Sequence, residues 1–195
     1  MTQLICGILR LDGTPPDRAL VRRMAASMIA PGLRHEIRVA SRGPVVMAAI
    51  RLALRGDRRA PAEAALIETD DTLLVADISV YDRARLQLSG QDPGPSDGAF
   101  LRAVLAEQGT GALGDLHGDF AFAAWRDGCL TLGRDHFGAR SVVYVERPAR
   151  CQDGAARSTV IPSANRSTGR ACPASVMRRW PIWSPQPNRA SLRSR

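Results

Sequence analysis

The chain has 195 residues, 45% of them hydrophobic and 24% charged, with a formal net charge of +8. That length fits one domain, or one domain with a tail, and the apolar fraction suffices for a packed core. No run approaches the roughly 18 consecutive apolar residues that a membrane helix needs, and the N-terminus lacks the basic and apolar regions of a secretion signal, so a cytoplasmic protein without a membrane partner is expected.

Residues 4–11 are apolar and partly β-branched and end at Asp12-Gly13, which predicts a first strand. Thr14-Pro15-Pro16-Asp17 then starts a helix over 17–28, with Leu20, Val21, Met24 and Met28 on one face and Arg18, Arg22 and Arg23 on another. Pro31-Gly32 closes it. Residues 34–40 alternate and 45–54 are apolar enough for a buried strand; both predict strands. A basic loop over 56–61 separates them from two strands, 64–68 and 72–77, joined by Thr69-Asp70-Asp71.

Residues 81–88 predict a short helix and 89–95 a Gly/Pro loop. Ser96 is a suitable N-cap for a helix reaching about Gln108, with Phe100, Leu101, Val104 and Leu105 as its apolar stripe. Another helical turn is expected over 111–116. The clearest hairpin follows: residues 117–125 alternate, Asp127-Gly128 turns, and 129–134 return. A last strand is predicted over 141–146. Many strands with two helical segments imply a layered α+β domain ending near residue 146.

Beyond residue 146 the pattern is lost. Residues 1–146 carry 17 Arg against 18 Asp and Glu, whereas 147–195 carry 10 Arg against the single acid Asp153. The stretch from 147 to 195 is rich in Arg, Ser and Pro, and its periodicity is too weak to offset the entropy of ordering. A disordered tail, of the kind a frameshift would produce, is expected there. Its charge admits a second class of function, salt-sensitive nucleic-acid binding, but the tail has few aromatic residues and no legible binding module. The four cysteines and three histidines are isolated, with no C-x-x-C pair, so neither a metal site nor a disulfide framework is expected.

Three strings carry a family resemblance. They are Cys6-Gly7-Ile8, then Gly118-Asp119-Phe120-Ala121-Phe122-Ala123-Ala124-Trp125, then Gly133-Arg134-Asp135-His136-Phe137-Gly138-Ala139-Arg140 with the predicted strand after it. In this order and spacing they resemble the glutamine amidotransferase domain of asparagine synthetases, which reads C-G-I, G-x-F-A-F-A-x-W and A-R-D-x-F-G-x-[KR]-P-L-Y-Y. The resemblance implies a four-layer αββα sandwich of the N-terminal-nucleophile hydrolase type, incomplete at its C-terminal end.

It also implies a reaction. In such domains an N-terminal Cys attacks the side-chain amide of glutamine, and its own α-amine serves as the base. An α-amine titrates at about 7.7–8.0 and can exchange protons near neutrality, whereas a peptide nitrogen cannot, its lone pair being delocalised. Cys6 is the candidate nucleophile, but Met1 to Ile5 precede it. Either those residues are removed, giving a working glutaminase, or Cys6 is a small residue packed on the first strand.

The family's N-G-E stretch, which supplies an oxyanion hole, has its counterpart at Asp77-Ile78-Ser79, where a carboxylate would repel a developing oxyanion. The family's S-D-T-E, whose Asp holds the glutamine ammonium, corresponds to Ser96-Asp97-Gly98-Ala99. Asp97 is thus a substrate-binding candidate, though an Asp there also suits a helix N-terminus. The family's R-G-P-D has no clear match at Pro31-Gly32-Leu33-Arg34-His35. Arg134, Asp135 and Arg140 are expected to hold the Phe137-Gly138 turn by ion pairing.

The S-G-G-x-D-S loop that binds ATP in the family's synthetase half does not occur in the chain. The expectation is therefore a truncated member whose ATP- and Mg2+-using partner domain is missing or separate, with no cofactor of its own. Altered glutaminase residues also resemble relatives that draw their amine from the substrate itself, such as lasso-peptide macrolactam cyclases and β-lactam synthetases.

Overall fold

The computed structural model describes residues 2–53, 65–89, 94–147, 158–162 and 178–181. They form two antiparallel five-stranded sheets and two α-helices. The first sheet contains β1 (Thr2–Arg10), β2 (Arg34–Arg42), β3 (Val45–Ala53), β8 (Val145–Arg147) and β9 (Ser158–Pro162), in the order β2-β3-β1-β9-β8. The second contains β4 (Ala65–Glu68), β5 (Thr72–Val80), β6 (Gly118–Arg126), β7 (Cys129–Arg134) and β10 (Arg178–Pro181), in the order β10-β7-β6-β5-β4.

Helix α1 (Arg18–Ser27) begins where the Asp17 carboxylate accepts a hydrogen bond from the Ala19 amide, at 2.8 Å. It buries Val21 and Ala25 on the first sheet. Helix α2 (Asp97–Glu107) is capped by the Ser96 hydroxyl, which accepts from the Ala99 amide. It lays Phe100, Leu101 and Val104 on the second sheet. The other faces of the two sheets meet, so the stacking order is α1, first sheet, second sheet, α2.

Side-chain alternation along each strand distributes residues between these interfaces. On β1, Ile5 and Leu9 enter the core between the sheets, while Cys6 and Ile8 face α1. On β3, Val45, Met47 and Ala49 point between the sheets, and Val46, Ala48 and Ile50 point to the helix. Central strands covered on both sides must be apolar at successive positions, which explains the unbroken apolar run over 45–50 in β3. Each fully buried Ile, Leu or Val contributes about 1.5–3 kcal/mol.

The β6–β7 hairpin turns at Asp127 and Gly128, with φ of 50° and 72°. Two successive left-handed residues match the twist of an antiparallel pair. Beside it, a hypothetical Cβ on Gly133 would lie 2.3 Å from Phe122 Cε1, so only glycine lets that ring lie across β7.

Four expectations need correction. Residues 81–88 form bends and turns, not a helix, because Arg83 anchors this backbone to Asp97 and to the carbonyls of Gly94 and Pro95. The last predicted strand shortens to β8, since the Ala139 and Arg140 amides are drawn to Asp135 and the chain leaves the ladder through 141–144. The helical turn after α2 lies earlier, as a 3-10 helix over Gly109–Gly114. Finally, β9 and β10 fall in the stretch expected to hold no element. The β-branched Thr159, Val160 and Ile161 pair with β1, and Arg178–Pro181 pairs with β7. Sequence periodicity cannot reveal such short segments, which gain their backbone partners only from the sheet edges they meet. The loop over 56–61 and the remainder of 148–195 lie outside the described residues.

Candidate functional site

Cys6 sits in the middle of β1, opposite Ala48 on β3 and Pro162 on β9. Its side chain is 1% exposed and packs with Val21, Ala25, Val46 and Ala48. Among the described residues the thiol's polar neighbour is the Val21 carbonyl, 4.0 Å away. Burial without a cationic partner pushes the thiol up to about 11, so it stays protonated at neutral pH. Its nitrogen is a peptide nitrogen joined to Ile5, itself fully buried between the sheets.

Asp77 lies on β5 one position beyond the core residues Leu73 and Val75 on the same face. Alternation therefore points it between the sheets, whereas Cys6 points away from that interface. Asp77 Oδ2 is 3.5 Å from Arg140 Nη1. Burial pushes this carboxyl up to about 6; the Arg140 guanidinium pulls it down, and Asp119 adds to the upward push. Nearby on β6, Asp119 accepts a hydrogen bond from the Tyr81 hydroxyl, and that bond holds the phenol above its usual range. Arg140 Nε is buried without a hydrogen-bond partner among the described residues, so the corner has donor capacity it does not use itself.

Asp97 stands at the start of α2, and its carboxylate is committed to the protein. Oδ2 accepts from the Val80 amide at 3.1 Å. Oδ1 accepts from Arg83 Nε at 3.1 Å and Nη2 at 2.6 Å. Arg83 also lies over the Phe100 ring, 5.4 Å from its centroid. Asp97 thereby clamps the end of β5 to α2.

The third motif works differently from the ion pairing expected of it. Asp135 is 2% exposed and binds main-chain amides: Ala139 at 2.9 Å, Arg140 at 2.9 Å and Phe120 at 3.4 Å. Its own amide donates to the Phe120 carbonyl at 2.8 Å. One carboxylate thus ties the Phe137-Gly138 turn to the start of β6, and Arg140 is left to meet Asp77. Arg134 lies against Gly138, where an added Cβ would come within 3.1 Å of its Nη1.

The candidates named from sequence do not converge. Asp77 and Asp97 attach to the same end of β5, but Cys6 is on the far face of the other sheet. Among the described residues the charged groups near Asp77 are Arg140 and Asp119, and Tyr81 is bonded to Asp119. Their signal was present, since Asp119 and Arg140 both belong to the motifs, but nothing in the strings says that they meet. Among the described residues no set of three His, Cys, Asp or Glu is placed to hold a metal ion. No helix among them is long and apolar enough to cross a membrane.

No curated protein matches the chain. A family model described as a glutamine amidotransferase domain matches residues 5–164, a stretch that begins just before Cys6, contains all three motifs and runs through β9. The two antiparallel sheets, the ordered motifs and this match over most of the sequence lead to one conclusion: the chain belongs to the glutamine amidotransferase domain family.

Proposed function

We propose that the chain is the glutaminase-type domain of an asparagine-synthetase-like, amide-forming ligase, and that this domain does not release ammonia from glutamine through Cys6. The stacking of α1, two sheets and α2 supports an αββα sandwich of the N-terminal-nucleophile hydrolase type. The observation that carries the reading is the state of Cys6: 1% exposed, directed at α1, with its thiol pushed up to about 11 and its nitrogen in a peptide bond. A thiol needs a base to become a nucleophile; the nitrogen of Cys6 is a peptide nitrogen, and no side-chain base lies beside the thiol among the described residues.

Removal of residues 1–5 is the route by which Cys6 would gain a free amine. The geometry speaks against it, because Thr2 through Ile5 are already registered against Leu52 through Ala49 and Ile5 is fully buried. Cleavage would have to draw a paired strand out of the first sheet. Asp77 reinforces the reading, since it is the sequence counterpart of the family's oxyanion-stabilising Asn, and a carboxylate in that role would oppose the charge that develops in amide hydrolysis. The amine joined by such a ligase is then carried by the acceptor substrate, as in macrolactam-forming relatives, and ATP and Mg2+ belong to a synthetase-type partner domain.

The test is glutamate release by the intact chain, measured next to Cys6→Ser, with the mature N-terminus read by mass spectrometry. Turnover indistinguishable from the Cys6→Ser control is expected, with the peptide before Cys6 retained. Turnover that Cys6→Ser abolishes, or an N-terminus beginning at Cys6, overturns the reading.

A further inference from the structure

The outer face of the second sheet holds a hollow of about 300 Å3 that neither Cys6 nor the Asp77 corner uses. Its origin is legible in β6. The residues of that strand facing α2 are Phe120, Phe122, Ala124 and Arg126 in turn. The first two rings, 6.2 Å apart between centroids, fill the space beneath the helix. Ala124 offers only a methyl group, flanked across the sheet by Leu74 on β5 and Thr131 on β7. Helix α2 ends just above, at Glu107, and the chain turns through Gly109, φ +70°, into the 3-10 helix. Leu105 and Thr110 close the hollow from that side.

The polar groups at its edge have unequal commitments. Arg126 Nε lies 3.2 Å from Asp71 Oδ2 and 3.4 Å from Asp127 Oδ2, so its charge is already opposed. The Thr72 hydroxyl donates to Asp71 at 3.0 Å. Arg102, half-buried on α2, has no hydrogen bond or ion pair with any described residue, and neither do the hydroxyls of Thr110 and Thr131. One uncommitted guanidinium, two uncommitted hydroxyls and an apolar floor therefore share one cavity. Its volume is at the small end of ligand pockets, which span about 300–1,000 Å3.

We propose that this hollow is a binding site for a small organic carboxylate with a short apolar body. The carboxylate pairs with Arg102 and accepts from Thr110 and Thr131, and the chain lies on Ala124, Leu74 and Leu105. Among the described residues Arg102 is the one cation at the hollow without an opposing carboxylate, which favours an anion of single charge, and the apolar floor selects a carbon chain over a hydrated inorganic anion.

The test uses the full chain and the probe hexanoate, followed by 1H–15N spectra and calorimetry, with hexanamide, hexylammonium and inorganic phosphate as comparisons. Hexanoate should saturate one site and shift the amides of Thr110, Ala124 and Thr131. Hexanamide and hexylammonium should bind roughly tenfold more weakly or worse, and Arg102→Gln should weaken hexanoate by a similar factor, the worth of one charge-assisted contact. Ala124→Leu, which fills the floor, should abolish the shifts while its spectrum elsewhere stays native. The proposal is overturned by no saturable shift in the parent chain, by hexanoate binding unaltered in Ala124→Leu or Arg102→Gln, by hexylammonium binding as well as hexanoate, or by phosphate binding more tightly than either.

Discussion

Cys6, buried, and Asp77, half-buried, are two ionisable groups on facing sheets, and the loss of solvent displaces both toward the neutral form, to about 11 and about 6. The surroundings make them different. Among the described residues the side chains packed on Cys6 are apolar, α1 covers the strand, and the thiol behaves as a small hydrophobe. Around Asp77 a guanidinium, a second carboxylate and a phenol gather at the open end of the sheet interface. Burial alone therefore does not make a site. The same displacement marks a sealed core position in one place and a polar corner able to exchange protons in the other.

The largest effect should come from the residue that builds the corner without belonging to its charge cluster. Asp135→Ala removes a nearly fully buried carboxylate and leaves the amides of Phe120, Ala139 and Arg140 without their acceptor. A loss of about 3–5 kcal/mol in urea unfolding is expected, because hydrogen bonds to charged groups are worth about 1.5–3 kcal/mol each and orphaned buried amides add to that. A loss below about 1 kcal/mol would show that the turn does not depend on this carboxylate. Cys6→Ser should come next. Its hydroxyl would enter an apolar pocket whose nearest acceptor, the Val21 carbonyl, is 4.0 Å from the sulfur, at a cost of about 1–3 kcal/mol. If Cys6 were instead an exposed nucleophile, the change would be nearly neutral in stability, and native-state iodoacetamide labelling, read by peptide mass, would be fast at Cys6.

The hairpin around Asp127-Gly128 was readable in advance because its signals are local: alternation over β6, a turn that needs two left-handed residues, and a matching return strand. The N-cap at Ser96 was readable for the same reason. The facing of Cys6 was not. In a strand buried on both sides every residue is apolar, so the pattern that would separate one face from the other is absent. The meeting of Asp77 with Arg140 was equally hidden, since it depends on Asp135 drawing the turn onto β6, a tertiary contact between distant segments. Asp97 shows the converse: its type and place suited either role, and only the presence of Arg83 and the Val80 amide reveals the clamp.

Asp77→Asn sharpens the contrast through pH. The folded-state carboxyl, at about 6, lies above the usual value of about 3.9 for an unfolded chain. The folded protein therefore binds the proton more tightly, and its stability from this group is present below about pH 4 and lost as pH rises through about 6. Asn cannot ionise, so the variant escapes that loss. It should be more stable than the parent by about 1–2 kcal/mol at pH 8, and the advantage should vanish near pH 4. A variant less stable at pH 8 would mean that the pair with Arg140 outweighs the burial of the carboxylate. Tyr81→Phe should have the smallest effect. The phenol is 68% exposed, so losing its bond to Asp119 should leave the urea-unfolding midpoint nearly unchanged. It still adds information, because Asp119 is one of the groups that push Asp77 upward. Freed from Tyr81, Asp119 loses its fixed position, so the midpoint for Asp77, followed by carboxyl 13C shifts, should move down. An unchanged midpoint would assign the displacement to burial alone and would reduce the difference between Asp77 and Cys6 to the presence of Arg140.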